Sequence, residues 1–187
     1  MQYEIVVVGT SLGGLKALQT LLAGLPKDFP LPVAIVQHRG KASGDGLAAF
    51  LQTASALQVR EAEDKEPIVP GMVYLAPADY HLLVESGAFM LSTEAPVAFS
   101  RPSVDVLFES AADAYGAGVI GVVLTGANID GARGAVAIKR RGGLVVVQDP
   151  ATAEAVAMPE AARAAGCDHI LPLLDIPPFL VRLVSES

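Results

Sequence analysis

The sequence predicts an α/β fold with a doubly wound, mostly parallel sheet, helices on both of its faces, and a small antiparallel hairpin. Apolar runs rich in β-branched residues alternate along the chain with segments of helical spacing. Hydrophobic residues make up 52% of the 187 residues and charged residues 18%, a balance that excludes intrinsic disorder. Aromatic residues are only 5%, so small and branched aliphatic side chains must form the core, which suits a helix-covered parallel sheet. The length fits one domain over residues 1–187.

Four apolar runs bounded by Gly, Pro or Asp are interpreted as buried strands, at residues 5–8, 33–36, 119–124 and 144–147. Four segments with helical spacing lie between or beside them, at residues 14–25, 47–57, 104–114 and 130–140. The last of these begins with an acid and ends in basic residues, which complements the helix dipole. The alternating order implies parallel strands joined by right-handed crossovers.

The middle of the chain has a different pattern. Residues 73–75 form a short apolar run, and residues 81–85 and 88–92 read as an antiparallel hairpin appended to the sheet, with Glu85-Ser-Gly87 between them. The tail predicts a short helix at 159–165, a strand at 169–171 and a last helix from Ile176. No internal repeat or low-complexity linker divides the chain.

Composition narrows the possible functions. The net charge of −7 argues against a nucleic-acid partner, and the basic run Lys139-Arg-Arg141 is interpreted as the solvated end of a helix. The single cysteine, Cys167, cannot form an internal disulfide and is expected to be a small buried residue in a reducing compartment. Neither a signal peptide nor an apolar run of membrane-spanning length is present. We therefore expect a soluble, cytoplasmic protein without membrane insertion.

The first strand leads directly into Gly9-Thr-Ser-Leu-Gly-Gly14 and then into a helix. Gly-x-Ser-x-Gly in this context is the nucleophile-elbow pattern, in which a tight turn exposes the serine hydroxyl at the carboxyl edge of the sheet. Ser11 is thus a candidate nucleophile. Two other interpretations stay open: a glycine turn with a helix-capping serine, and a phosphate or dinucleotide site. The second lacks its usual partners, because the next strand ends in Gln37-His38 rather than an acid.

Two further strand ends carry side chains that a serine nucleophile requires. His38 follows the second strand and would emerge beside Ser11 if the first two strands are neighbours, where it could act as a general base. Asp130 follows the strand at 119–124 and could orient the imidazole, although a simple helix N-cap is the alternative. His81 and His169 are interpreted as structural. The order Ser–His–Asp differs from that of the α/β-hydrolases, which excludes that superfamily but not the chemistry.

These segments together resemble the catalytic domain of the chemotaxis protein-glutamate methylesterases. The resemblance rests on several co-linear motifs that run from about Ile5 to Leu171. They are Gly9-Thr-Ser-Leu-Gly-Gly14, Gln37-His38, Tyr80-His-Leu-Leu-Val84, Ser100-Arg-Pro-Ser-Val-Asp105, Leu124-Thr-Gly-Ala-Asn-Ile-Asp-Gly-Ala132, and the stretch from Gln148-Asp149 to Met158-Pro159.

The resemblance implies demethylation of glutamate methyl esters on the cytoplasmic helices of chemoreceptors, deamidation of receptor glutamines by the same route, and no metal or organic cofactor. It implies a nucleophile at Ser11, a base at His38, an acid at Asp130, and an oxyanion hole from the backbone amides of Leu12 and Ala127. Family members commonly carry Thr and Met at the last two positions, which changes the lining of the hole but not its main-chain donors.

Many family members carry a receiver domain ahead of the catalytic one, whereas the first strand here begins at residue 4 or 5. A separate receiver-domain regulator, constitutive activity, and an excised domain all fit this arrangement. Basic residues near the site, Arg39 and Arg101, are candidates for substrate contact. Two rival functions remain at this point: a non-catalytic, partner-binding descendant of the fold, and a general small-ester hydrolase.

Overall fold

A computed structural model describes residues 2–40, 46–85 and 87–186. The strands are β1 Ile5–Thr10, β2 Val33–Gln37, β3 Gln58–Glu61, β4 Met72–Leu75, β5 His81–Glu85, β6 Ala88–Ser92, β7 Val119–Val123, β8 Leu144–Gln148 and β9 His169–Leu171. The helices are α1 Gly14–Ala23, α2 Leu47–Gln52, α3 Val104–Tyr115, α4 Ala132–Arg140, α5 Ala157–Ala165 and α6 Ile176–Ser185. Ser86, in the predicted hairpin turn, lies outside the described residues.

The main sheet has seven strands, all parallel, in the order β3-β4-β2-β1-β7-β8-β9. The predicted doubly wound parallel sheet is therefore confirmed. β1 lies at the centre and pairs with β2 on one side and β7 on the other. The chain first forms β2, β3 and β4 on one side of β1 and then crosses to form β7, β8 and β9 on the other, so the switch point lies between β1 and β7. Ligands of open α/β sheets bind at the carboxyl end of such a point.

Helices cover both faces because side chains of the buried strands alternate between them. Ile5 and Val7 of β1 pack in the core shared with α3, α4 and α5, whereas Val6 and Val8 pack in the core shared with α1, α2 and α6. All six residues of β1 are buried. The central strand is thus immobilised from both sides, and the loop that follows it begins from a rigid support.

The predicted second helix is too long, and one strand was missed. The helix ends at Gln52, and β3 follows at Gln58–Glu61 as an edge strand of the sheet. The Gln52 side chain holds the segment that follows the helix, because its Nε2 donates to the Leu57 carbonyl at 3.0 Å and its Oε1 accepts from the Val59 amide at 2.8 Å. Leu57 and Val59 are both buried, which favours the extended path.

The hairpin of β5 and β6 is confirmed as antiparallel, but it forms a separate two-stranded sheet. It packs on α3, where the Val84 amide donates to Ser110 Oγ at 3.0 Å. Cys167, expected to be buried, is only half-buried. None of the helices in the described ranges has the length and apolarity that a membrane span needs.

Candidate active site

Ser11 lies in the tight turn between β1 and α1, and the glycines around it make that turn possible. Gly13 has a φ of 80°, a left-handed conformation that other residues rarely adopt. A Cβ on Gly9 would lie 2.2 Å from Val104 Cγ1, so only glycine lets α3 approach β1 this closely. The Ser11 amide donates to the Thr125 carbonyl at 3.0 Å. The serine is therefore held against the loop that follows β7.

The loops after β1 and β7 are joined by threonine hydroxyls. Thr10 Oγ1 donates to the Thr125 carbonyl at 2.7 Å, and Thr125 Oγ1 donates to the Leu12 carbonyl at 2.8 Å. The two loops approach each other closely at Gly126, where an added Cβ would lie 3.0 Å from Ser11 Cβ. These contacts place the two loops side by side at the switch point of the sheet.

His38 leaves the end of β2 next to this junction, as the neighbouring strands predict. Its amide donates to the Thr10 carbonyl at 3.0 Å. Gln37 Nε2 donates to the carbonyls of both Ser11 and His38, each at 2.9 Å, and so ties the two backbones together. In the sequence, Gln37 was noted only as part of the Gln37-His38 pair. Its role as a bridge depends on a contact with Ser11, 26 positions away in the chain, which a local sequence pattern cannot predict.

Asp130 lies close to His38, with Oδ2 at 2.7 Å from Nε2. Its carboxylate, which is fully buried, also accepts from the amides of Val104 and Asp105, at 2.7 and 2.9 Å, and from Ser103 Oγ at 2.9 Å. The prediction that Asp130 begins the helix after β7 is wrong. That helix, α4, starts at Ala132, and Asp130 instead accepts the first free amides of α3.

The environment of Asp130 keeps it ionised. Burial by itself would raise the pKa of this carboxyl, but hydrogen bonds from His38 and from the amides of Asp105 and Val104 outweigh it and hold the pKa below its usual value. An ionised Asp130 has no proton to donate, so it accepts a hydrogen bond from the N–H group at His38 Nε2. The other ring nitrogen, Nδ1, is then the basic one.

The His38 ring nitrogen Nδ1 faces a side chain that the sequence analysis did not single out. Asn128 Nδ2 lies 3.3 Å from His38 Nδ1 and 3.3 Å from Ser100 Oγ. Ser11, His38, Ser100 and Asn128 line one cavity of about 460 Å³. Within the described chain, no hydrogen bond joins the Ser11 hydroxyl to His38. Such bonds are often long before substrate binds.

The amides predicted to form an oxyanion hole lie in the two joined loops. Neighbouring amides are occupied, since Ser11 N donates to Thr125 and Gly126 N donates to Ala155. The amides of Leu12 and Ala127, in contrast, donate to no atom of residues 2–40, 46–85 or 87–186. Both amides are therefore free to donate to another group, and their role in an oxyanion hole stays a prediction.

The remaining histidines have structural contacts, as predicted. His81 is buried and accepts from the Ser103 amide at 3.2 Å, while its Nε2 donates to the Ala95 carbonyl at 3.1 Å. His169 packs against Phe179 with ring centroids 4.6 Å apart. No group of three or more His, Cys, Asp or Glu in the described ranges is placed to hold a metal ion.

The two arginines near the site are both engaged in ion pairs. Arg39 pairs with Glu61 and donates to the Ala76 carbonyl at 3.0 Å. Arg101 lines the cavity with Ser11 and pairs with Asp79 at 2.5 Å. Since each positive charge is already matched by a carboxylate, neither arginine contributes an uncompensated charge to the cavity mouth.

A serine in a strand–turn–helix elbow, a histidine paired with a buried carboxylate, and two unoccupied amides form the type of site that serine hydrolases use. The chain belongs to the CheB methylesterase family, whose model matches residues 6–180. The crystal structure of the Thermotoga maritima CheB methylesterase catalytic domain superposes with a TM-score of 0.93, at 39% identity, over 98% of this chain and 100% of that one.

Two relatives named for this activity differ in length. A Leptospira interrogans protein provisionally named protein-glutamate methylesterase/protein-glutamine glutaminase is 48% identical over 189 residues, which cover 100% of this chain and 98% of that protein. Protein-glutamate methylesterase/protein-glutamine glutaminase 2 of Anaeromyxobacter dehalogenans is 46% identical over 181 residues. The match covers 96% of this chain but only 53% of that relative, so the chain spans about half of its length.

Proposed function

We propose that this chain hydrolyses the γ-methyl esters of glutamate side chains on chemoreceptors, and that it deamidates receptor glutamines by the same route. The observation that carries the proposal is the 2.7 Å contact between His38 Nε2 and the buried Asp130, in a site where His38 and Ser11 line one cavity. Family membership and the names of the relatives supply the substrate.

In the proposed reaction, Ser11 Oγ attacks the ester carbonyl while its proton passes to His38 Nδ1. The amides of Leu12 and Ala127 bind the resulting oxyanion. The bond to the methoxy group then breaks, and methanol leaves with the proton from His38. Water attacks the acyl-enzyme with His38 again as the base, which releases the glutamate carboxylate and restores Ser11. With glutamine as substrate, ammonia is the leaving group.

The surface around the cavity supports a protein substrate. Several large apolar side chains that line the cavities at Ser11 and His38 face solvent; Phe99 is fully exposed, and 55% of Leu12 is exposed. We call this set the apolar rim; it comprises Leu12, Leu15, Phe50 and Phe99. The chain itself is acidic, and the nearby arginines are paired, so apolar contact rather than charge would hold a receptor helix here.

The direct test measures methanol release from methylated receptor membranes by the wild-type chain and by Ser11→Ala. Wild type should release methanol, and Ser11→Ala should lower turnover by a factor on the order of 10⁶ if the three side chains act as a unit. Ser185→Ala, which changes an exposed serine on α6, is the matched control and should behave as wild type. A regulator with a receiver domain stays a prediction, and its phosphorylated form can be added to the same assay.

Each rival function predicts a different outcome of this assay. A general esterase would hydrolyse p-nitrophenyl acetate but release no methanol from receptors. A partner-binding domain would hydrolyse neither substrate while remaining folded by circular dichroism. A small effect of Ser11→Ala on a measurable activity would disprove its role as nucleophile.

A further inference from the structure

The Asn128 side chain has a defined orientation in the cavity. Its Oδ1 accepts from the Asp130 amide at 3.1 Å, which directs the amide nitrogen Nδ2 to the opposite side. Nδ2 there has two partners at the same distance of 3.3 Å, His38 Nδ1 and Ser100 Oγ. The assignment of oxygen and nitrogen in this amide therefore follows from a backbone donor.

This contact occupies the nitrogen that the proposed reaction needs. Because Nε2 of His38 donates to Asp130, Nδ1 carries the lone pair, and Asn128 Nδ2 is a donor aimed at it. In the proposed first step, the same lone pair accepts the proton of Ser11. Asn128 and the Ser11 hydroxyl are thus alternative donors to one acceptor.

We propose that Asn128 is a positioning residue that holds the His38 lone pair until substrate enters and then releases it to Ser11 by turning its amide fully to Ser100 Oγ. The proposal rests on the esterase function proposed above. No new partner is required for the release, since Ser100 Oγ already lies at 3.3 Å. The Asn128 N–H can donate to Nδ1 only while that nitrogen carries no proton, so the contact favours the His38 tautomer that can accept from Ser11.

The charged groups near His38 belong to other residues, so the neutral side chain of Asn128 can be replaced without removing any of them. Asp130 contacts Nε2 from the loop after β7, and Arg39 follows His38 in the chain but pairs with Glu61. The ion pair of Asp79 and Arg101 lines the same cavity, and Lys16 and Glu154 line the adjoining cavity on the other side of Ser11. Replacing Asn128 alters none of these charges.

The pH profile of kcat/KM for p-nitrophenyl acetate tests the proposal in wild type, Asn128→Ala and Asn128→Asp. At acidic pH, kcat/KM falls as the base is protonated, and we call this part of the profile the acid limb. Loss of the donor in Asn128→Ala should move the acid limb to a higher pH by roughly 0.5–1 unit, because one hydrogen bond changes the protonation equilibrium of the ring about three- to tenfold. The carboxylate of Asn128→Asp would stabilise the protonated ring and should move the limb further, by about one unit or more. Ser100→Ala leaves the contact between Asn128 and His38 in place, so the acid limb of its profile should stay at or below the wild-type pH.

Nitrogen-15 chemical shifts of the histidine rings provide a second readout that needs no turnover. In wild type at neutral pH, His38 Nδ1 should have the shift of an unprotonated nitrogen that accepts a hydrogen bond, and this shift should change in Asn128→Ala. Thermal melts establish that the variants are folded. If the acid limb and the Nδ1 shift are the same in folded Asn128→Ala as in wild type, the proposal is wrong. An absent esterase activity with a changed Nδ1 shift would instead contradict the proposed function alone.

Discussion

Asp105 and Asp130 cap each other's helices: Asp130 caps α3, which contains Asp105, and Asp105 caps α4, which follows Asp130. Asp130 lies just before α4 and accepts from the amides of Val104 and Asp105 at the start of α3. Asp105 lies in the first turn of α3 and accepts from the amides of Gly131 and Gly134 at the start of α4, at 2.9 and 2.8 Å. Two helix N-termini and two buried carboxylates thus form one reciprocal unit behind His38.

The two carboxylates respond oppositely to this arrangement. Burial raises the pKa of Asp105, aided by the nearby charge of Asp130, and its hydrogen bonds to Gly134 and Gly131 compensate only in part. The hydrogen bonds of Asp130 outweigh its burial and hold its pKa below the usual value. Environments that separate the pKa values of neighbouring acids assign them different roles. Asp130 is the charged partner of His38, and Asp105 supports the turn at Gly131.

Asp130→Asn is expected to impair both turnover and stability. Turnover should fall by about 10⁴-fold, as when the acid of a serine triad is replaced. An amide NH₂ cannot accept every donor that now faces the carboxylate, so the free energy of unfolding should fall by about 1–3 kcal/mol at neutral pH. Urea denaturation measures the second effect. Because the folded pKa of Asp130 is depressed, the stability it contributes is lost as pH falls through that pKa, and the two curves should converge there.

Asp113→Asn provides a matched control for this prediction, since Asp113 lies on the exposed face of α3 and pairs with Arg141 at the surface. Its substitution should change stability by less than about 0.5 kcal/mol. Equal losses in the two variants would show that Asp130 has no special structural role.

Asp105→Asn should alter the pH dependence of stability in the opposite direction. The pKa of the Asp105 carboxyl is higher in the folded protein than in the unfolded chain, where it is about 3.9. The protein therefore loses stability as pH rises from the unfolded pKa through the folded pKa. The Asn side chain does not titrate, and its carbonyl oxygen can still accept from Gly131 and Gly134. Relative to wild type, the variant should therefore gain stability as pH rises above the unfolded pKa of about 3.9 and through the raised folded pKa.

Urea denaturation across this range checks the Asp105 prediction, with Asp105→Ala as the comparison. The alanine variant loses both hydrogen bonds and should be less stable than Asp105→Asn at every pH. A difference between wild type and Asp105→Asn that does not vary with pH would contradict the raised pKa.

Phe99→Ala is expected to weaken the use of receptor substrate without affecting the fold. The ring is fully exposed in a turn whose residues Ala98 and Phe99 have φ values of 48° and 62°, so its removal should change stability by less than about 0.5 kcal/mol. KM for methylated receptor should rise, while kcat/KM for p-nitrophenyl acetate stays constant. Ile170→Ala, an exposed apolar residue on the edge strand β9, should change neither value. Equal effects on both substrates would argue against the apolar rim as a protein contact.

Gly126→Ala should disturb the junction of the two loops. The added Cβ would lie 1.9 Å from Met158 Sδ and 3.0 Å from Ser11 Cβ, so one or both must move, at a cost of about 1–3 kcal/mol in stability. Met158→Ala should reduce that cost in a double-mutant cycle, but it should not restore turnover, because the contact with Ser11 remains. Gly46→Ala, where a Cβ meets nothing within 4 Å, is the stability control.

The local patterns of the sequence were sufficient for most of the secondary structure and for the position of Ser11. An apolar run that leads into a glycine turn depends on residues adjacent in the chain, and the strand at Ile5–Thr10 followed by α1 has that form. The second helix was overextended because the residues after Gln52 also have helical spacing. Burial of Leu57 and Val59 against the sheet outweighed that spacing.

By itself, the sequence determined that an elbow serine, a histidine and an aspartate each follow a buried strand, because strand and turn signals are local. Only the tertiary structure decided which strands adjoin β1, which helix Asp130 caps, and that Asn128 reaches His38. Those relationships join residues far apart in the chain, such as His38 with Asp130, 92 positions away, and Thr10 with Thr125, 115 positions away. They follow from the order of strands in the sheet, which depends on how all the buried faces pack together.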